Sequence, residues 1–265
     1  MGKTIVNWSP VHGQSATTSH TIALSSMLSL DQSYRSLLTH AQLSYATMDS
    51  IYSDSKKPGF EDGGVVALER LVKSKLLKPE DVPNYTETIY KNRLDYLSGS
   101  MREGDNSDGK KLNVILHAAQ VEYDFVWIDV QAGTKDRTTV ELLKNADFVL
   151  VNLPQNKYII EKFFDDIPEE LKDKPYFVLI GLYDLNANYS IRNIKRQLKS
   201  KVPIFTIPYA TGFRDAVNQE SVTEFFVRML RVEKGDLLYP FIDSVRDVNI
   251  ALLKKLGYAR SEDWS

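Results

Sequence analysis

Along this chain, short unbroken apolar runs alternate with stretches of helical period. The run Thr4–Trp8, TIVNW, is mostly β-branched or aromatic and predicts a buried strand. Beyond a small-residue loop, TTSHTIALSSMLSL spaces Ile22, Leu24, Met27, Leu28 and Leu30 at near-helical intervals. A second strand is predicted around Leu37–Leu43, and residues 44–60 read as a long loop. GGVVALERLVKSKLL predicts a helix opened by glycines and stopped before Pro79, and NRLDYLSGS carries a third strand. REGDNSDGKK is polar and loop-like, KLNVILHAAQVEY is helical, and DFVWIDVQAG is a strand running into a loop. Then follow helix 135–145, strand DFVLVNLP, helix 156–165, strand YFVLIGL, helix 189–199, strand PIFTIPY, and helices from about residue 211 to the end. Apolar strands alternating with helices predict an α/β fold. It is a doubly wound, mainly parallel sheet covered on both faces. The expected organisation is one α/β domain over 1–232, with a C-terminal helical extension, 233–265, packed on it.

Composition narrows the function classes. The chain has 265 residues, 43% hydrophobic, enough for one sizeable core. A net charge of -2 demands neither nucleic acid nor an acidic membrane as partner. With no cysteine, disulfides, thiol chemistry and thiolate metal sites are excluded. The opening MGKTIVNWSP lacks the form of a signal peptide, and no stretch approaches about 18 uninterrupted apolar residues. A cytoplasmic location is the expectation, with recruitment to a membrane or pole left to a partner.

The loop SPVHGQSATTSH, between the first strand and first helix, lies where backbone amides at a helix N-terminus bind phosphate. Gly13 permits close backbone approach, Gln14, Ser15 and Ala16 continue the loop, and Thr17 or Thr18 offers a hydroxyl to Mg²⁺. The usual motif has a lysine just before the first Thr, where this chain has Ala16. The same string also reads as a plain strand-to-helix turn capped by Ser or Thr.

A second anchor is DFVWIDVQAG, an apolar strand carrying Asp129 and followed by Gly133. It has the form of an acidic strand on the Mg²⁺ side of a nucleotide site. A helix, then NAD, then a strand ending at Pro154 come next, and FTIPYATGFRDAVN follows late in the chain. In this order and spacing the motifs resemble the ParA/MinD family of deviant-Walker ATPases over roughly residues 3–232. Within it they look most like the atypical TadZ/CpaE-like branch. The resemblance implies an ATP and Mg²⁺ site at the strand C-termini and a sandwich homodimer. It also implies work in positioning plasmids, division machinery, pili or secretion complexes. Pro208 and Tyr209 would flank the base, and Thr17 and Asp129 would hold the metal.

Against that pattern, the loop lysine maps to Ala16 and the signature lysine to Val11. The Asp-x-Asp of the second strand maps to His40 and Gln42, and the base-recognising Asn to Gly181, with Asp184 three residues on. His40 and Asp129 are the candidate catalytic residues; a neutral His40 would hold a water, or is simply a polar strand end. Each lost contact to the transferring phosphoryl group costs about 3 kcal/mol, roughly a hundredfold in rate. The expectation is a localisation or assembly factor with a degenerate nucleotide site. It binds ATP weakly or not at all and serves as a scaffold for a pilus, conjugation or secretion apparatus. The alternative is an active partition ATPase with non-specific DNA binding, in which Lys3, Lys110 or Lys111 replaces the missing charge.

Two surface features complete the reading. Arg192, Lys195, Arg196 and Lys199 share a helix face, as a DNA or partner patch or as a solvated face. Phe241, Val245, Val248 and Leu252 form a helical stripe suited to packing on the domain or on a partner helix rather than to a membrane. His12, His20, His40 and His117 are scattered without metal-ligand spacing.

Overall fold

The computed structural model describes residues 1–42, 46–52, 63–99, 108–198 and 200–258. Among the described residues, eight strands form one sheet: β1 Lys3–Trp8, β2 Ser36–Ala41, β3 Glu87–Tyr90, β4 Leu94–Leu97, β5 Phe125–Val130, β6 Phe148–Pro154, β7 Tyr176–Tyr183 and β8 Ile204–Pro208. Their order is β3-β4-β2-β5-β1-β6-β7-β8. Every neighbouring pair is parallel except the edge hairpin β3–β4. The doubly wound, mainly parallel sheet read from the sequence is therefore the fold. The central strands are buried along their length, as parallel strands covered on both faces must be.

One face packs on α1 Thr17–Asp31, α8 Thr211–Asn218, α9 Val222–Met229 and α10 Tyr239–Leu256. The other packs on α3 Gly64–Lys73, α4 Asp108–Glu122, α5 Arg137–Asn145, α6 Lys157–Asp165 and α7 Ile191–Leu198. Helix α1 lies between the sheet and α9–α10, so residues all round it are buried and no apolar stripe marks it. α10 lays Phe241, Ile242, Val245, Val248, Leu252 and Leu253 into the core, and Asn249 Nδ2 donates to Leu24 O at 3.0 Å. Arg246 clamps Asp31 with bonds of 2.9 and 3.0 Å.

Three local expectations change. The region read as a loop over 44–60 contains a short helix, α2 Thr47–Tyr52, and residues 53–60 lie outside the described residues. The helix expected to run toward Pro79 ends at Lys73, because Lys75 takes a left-handed φ of 59°. β3 was not foreseen: ETIY is short, and it pairs antiparallel only because the chain turns back through Asn92, at φ 60°.

Candidate functional site

The loop 9–16 leaves the C-terminal end of β1 and is held by its own small side chains. Ser9 Oγ donates to Val11 O at 2.9 Å, lies 2.9 Å from Ser15 Oγ, and accepts from Val11 N at 3.2 Å. Gly13 takes a φ of 73°, where glycine is favoured. Ala16 also stands in the left-handed region, at φ 54°, which costs about 1–2 kcal/mol for a residue with a Cβ. Its carbonyl accepts the first helix bond, from His20 N at 2.9 Å. The first-turn amides of α1 precede that bond and have no partner within the helix.

The loop after β5 is tied to this one. Gly133 N donates to Ser9 O at 2.8 Å, and Trp8 Nε1 donates to Gly133 O at 2.9 Å. The register β1–β5 sets Asn7 opposite Asp129, and β2–β5 sets His40 opposite Asp129. A buried polar row thus crosses three strands beneath the start of α1.

Asp129 is the centre of that row. Thr18 Oγ1 donates to its Oδ2 at 2.6 Å, and Gln42 Nε2 at 3.3 Å. Its Oδ1 is buried with no hydrogen-bond partner, as are both side-chain polar atoms of Asn7. Desolvation pushes the Asp129 carboxyl up to about 6, against the opposing pull of Thr18, His40 and Gln42.

His40 is turned away from this centre. Its Nδ1 accepts from Gln42 N at 3.2 Å, so the ring proton sits on Nε2, which donates to Asp49 Oδ2 at 2.9 Å. Asp49 also accepts from Tyr96 and Ser98, each at 2.8 Å. Burial works against its charge, but His40, Tyr96 and Ser98 hold it below the usual carboxylate range. Asp49 escaped the sequence reading because it lies on the unforeseen α2. No motif marks it.

Gly181, near the C-terminal end of β7, has no room for a side chain. A Cβ there would lie 2.5 Å from His20 Cε1 and 2.5 Å from Ser15 O. His20 occupies the space, with Nδ1 2.6 Å from Asn152 Oδ1. Because Asn152 Nδ2 donates to Trp8 O and Leu150 O, its oxygen accepts from the ring. Desolvation lowers His20 to about 4, so the ring is neutral near pH 7, and the Asn152 bond offsets only part of that shift.

Between the two loops opens a cleft of about 300 Å³, lined by His12, Gly13, Ser15, Ala16, Thr17, Thr18, Gln42 and Asp129 among others. Gln14 is exposed and does not line it. Pro208 and Tyr209 line a smaller adjoining cleft with Ala16, Ser19 and Leu182. Among the described residues, no lysine or arginine lines the larger cleft, and His12 is its single basic side chain. Lys3 lies at the far end of β1, about 16 Å of strand from Trp8, and pairs with Asp147 at 3.1 Å. Lys110 and Lys111, in the first turn of α4, do not line the cleft.

No known family's sequence profile matches the chain, and no curated protein does. Solved structures do match. A ParA family ATPase from Chlorobium tepidum superposes with a TM-score of 0.69 at 12% identity, over 94% of this chain and 99% of that one. A plasmid partition protein from Borrelia burgdorferi, bound to AMPPNP, gives 0.70 at 16% identity, over 96% of this chain and 100% of that one. The septum site-determining protein MinD from Pyrococcus horikoshii, complexed with Mg-ADP, gives 0.69 at 15% identity, over 98% and 100%. With its single doubly wound sheet and a cleft at the C-terminal ends of β1 and β5, the chain has the fold of the ParA- and MinD-type ATPases.

Proposed function

We propose that the protein is a ParA/MinD-like localisation or assembly factor whose nucleotide site is degenerate. It binds nucleotide weakly or not at all, and works as a scaffold for a pilus, conjugation or secretion apparatus. The observation that carries this reading is the cleft itself, which keeps Thr18 and Asp129 but has no lysine or arginine among its described lining residues. Phosphoryl transfer relies on positive charge held against the phosphates. Here the α1 N-terminus and His12 are what the lining offers.

The residues present fit a bound Mg²⁺ in part. The unpartnered Asp129 Oδ1 and the Thr17 and Thr18 hydroxyls are hard oxygen donors of the type that cation takes. When bound, Mg²⁺ would screen the charge of β- and γ-phosphates. The Thr18 and Gln42 hydrogen bonds fix the orientation of Asp129 toward the loop. His40, with both ring nitrogens engaged, has none left for a water, so Asp129 is the better-placed of the two candidate catalytic groups.

Titration with ATP and Mg²⁺, following heat and molecular mass together, tests the reading. The expected outcome is a dissociation constant of millimolar order or weaker, without steady turnover. Turnover that Asp129→Ala abolishes would overturn it and favour the partition ATPase. A DNA-contacting role draws support from α7, whose exposed Arg192, Lys195 and Arg196 have no carboxylate partner among the described residues. Lys199 lies outside the described residues.

A further inference from the structure

A groove of about 760 Å³ lies between the start of α8, the end of α9 and the turn leading into α10. Met229, Val232 and Leu238 give it an apolar lining. At its lip stands Leu237, 99% exposed. The turn that presents Leu237 is built, since Asp236 Oδ2 accepts from Glu233 N at 2.9 Å. A leucine held wholly in water contributes nothing to the core.

Arg228 and Arg231 also line the groove, and both are exposed. Neither side chain forms an ion pair or hydrogen bond among the described residues. A third guanidinium, Arg214, stacks over the ring of Tyr209 at 4.7 Å beside the groove. The volume falls within the roughly 300–1,000 Å³ of binding pockets. Arginine, tyrosine and methionine around an apolar floor is the composition of interface cores.

We infer that this groove docks a segment of a protein partner carrying an apolar side chain flanked by carboxylates. The apolar lining takes the side chain. The two unpaired guanidinium forks take the carboxylates, which they match bidentately. A neutral segment would leave those charges unanswered, and a basic one would be repelled. The one carboxylate on the lining, Asp236, is held in place by the Glu233 amide, and beside two arginines it leaves the lining with a net positive charge. The groove shares Tyr209 and Ala210 with the cleft that holds Pro208, so a docked segment lies beside the nucleotide loop without entering it. The inference therefore stands whether or not nucleotide binds.

The test is calorimetry of the full chain with a capped synthetic peptide of alternating Glu and Leu. The same peptide with every Glu replaced by Gln is the control. Saturable binding of the acidic peptide is expected, at least tenfold weaker for the Gln peptide. A similar loss is expected for the acidic peptide with the double variant Arg228→Glu, Arg231→Glu, and a smaller one with Leu237→Asp. All three positions are exposed, so an unchanged melting temperature is expected to show the variants folded. Lys144→Glu, exposed on α5 at the opposite face of the sheet, leaves binding unchanged. No saturable heat up to millimolar peptide, equal affinity for the Gln peptide, or undiminished binding by the double variant overturns the inference. So does retention of duplex DNA that is lost in the double variant while the acidic peptide fails to bind wild type, because it assigns the arginines to nucleic acid.

Discussion

At the scale of single residues, Asp129 and Gly181 show what close packing beneath the loop demands. The Asp129 carboxyl is raised from 3.8 to about 6 by burial, so the folded state binds more protons than the unfolded state between those values. Stability then falls as pH rises through that window. The charged form costs about 3 kcal/mol once it is crossed. Asp129→Asn is accordingly expected to raise stability by about 2–3 kcal/mol at pH 8, and to change it little near pH 4. Urea unfolding at the two pH values checks this; an equal effect at both would show that charge burial is not its origin. Gly181→Ala is expected to destabilise by about 2 kcal/mol or more, since its Cβ meets the Ser15 backbone oxygen as well as a ring. Cutting His20 back to Ala in the same chain should recover part of that loss, but not the part owed to Ser15. These two positions also mark the limit of sequence reading here. Asp129 was legible because an acidic residue interrupts an apolar strand at a known place. The His20–Asn152–Gly181 contact was not, because three residues far apart in the chain create it and none is unusual alone.

At the scale of elements, α10 and α7 carry opposite expectations. The six apolar side chains that α10 buries are each worth about 1.5–3 kcal/mol, a sum of order 10 kcal/mol. That equals the whole stability of a typical domain. Removing residues from 239 onward should therefore leave a chain without cooperative thermal unfolding, whereas a dispensable membrane-binding helix would leave the melt intact. α7 buries little beyond Ile194, so reversing Arg192 and Lys195 should not disturb folding. If α7 touches DNA, the reversal lowers retention and flattens the log-log salt dependence by about 0.9 per lost phosphate contact. An unchanged slope would assign these charges to solvation. Long apolar strands and amphipathic helices such as α5 and α6 were readable because their burial follows one period. α1 is buried all round, yet the near-helical spacing of Ile22, Leu24, Met27, Leu28 and Leu30 behind its loop marked it. α2 and β3 were missed because both are short, and their partners rather than their own residues fix them.

At the scale of the molecule, one sheet brings the polar groups of five strands to one edge. β1, β2, β5, β6 and β7 run parallel, so Ser15, Gln42, Asp129, Asn152 and Gly181 all lie toward their C-terminal ends. This is where open α/β sheets bind ligands. The arrangement keeps Lys3 out of the cleft: it belongs to the opposite edge and stabilises the turn before β6 through Asp147. Among the described residues, no helix is long and apolar enough to cross a membrane. For the assembly role proposed above, the groove beside α9 is the docking surface that the charge pattern favours.

The bond from Trp8 to Gly133 has a practical consequence. The indole is buried, packs against Phe163 at 6.5 Å, and donates its one N–H to the loop that follows Asp129. Any event that shifts that loop alters the polarity felt by the indole, and with it the wavelength of its emission. The molecule thus contains its own optical gauge of the cleft. Red-edge excitation of a chain in which Trp127 and Trp264 are both replaced by Phe, leaving Trp8 as its one indole, would follow loop movement without an added label.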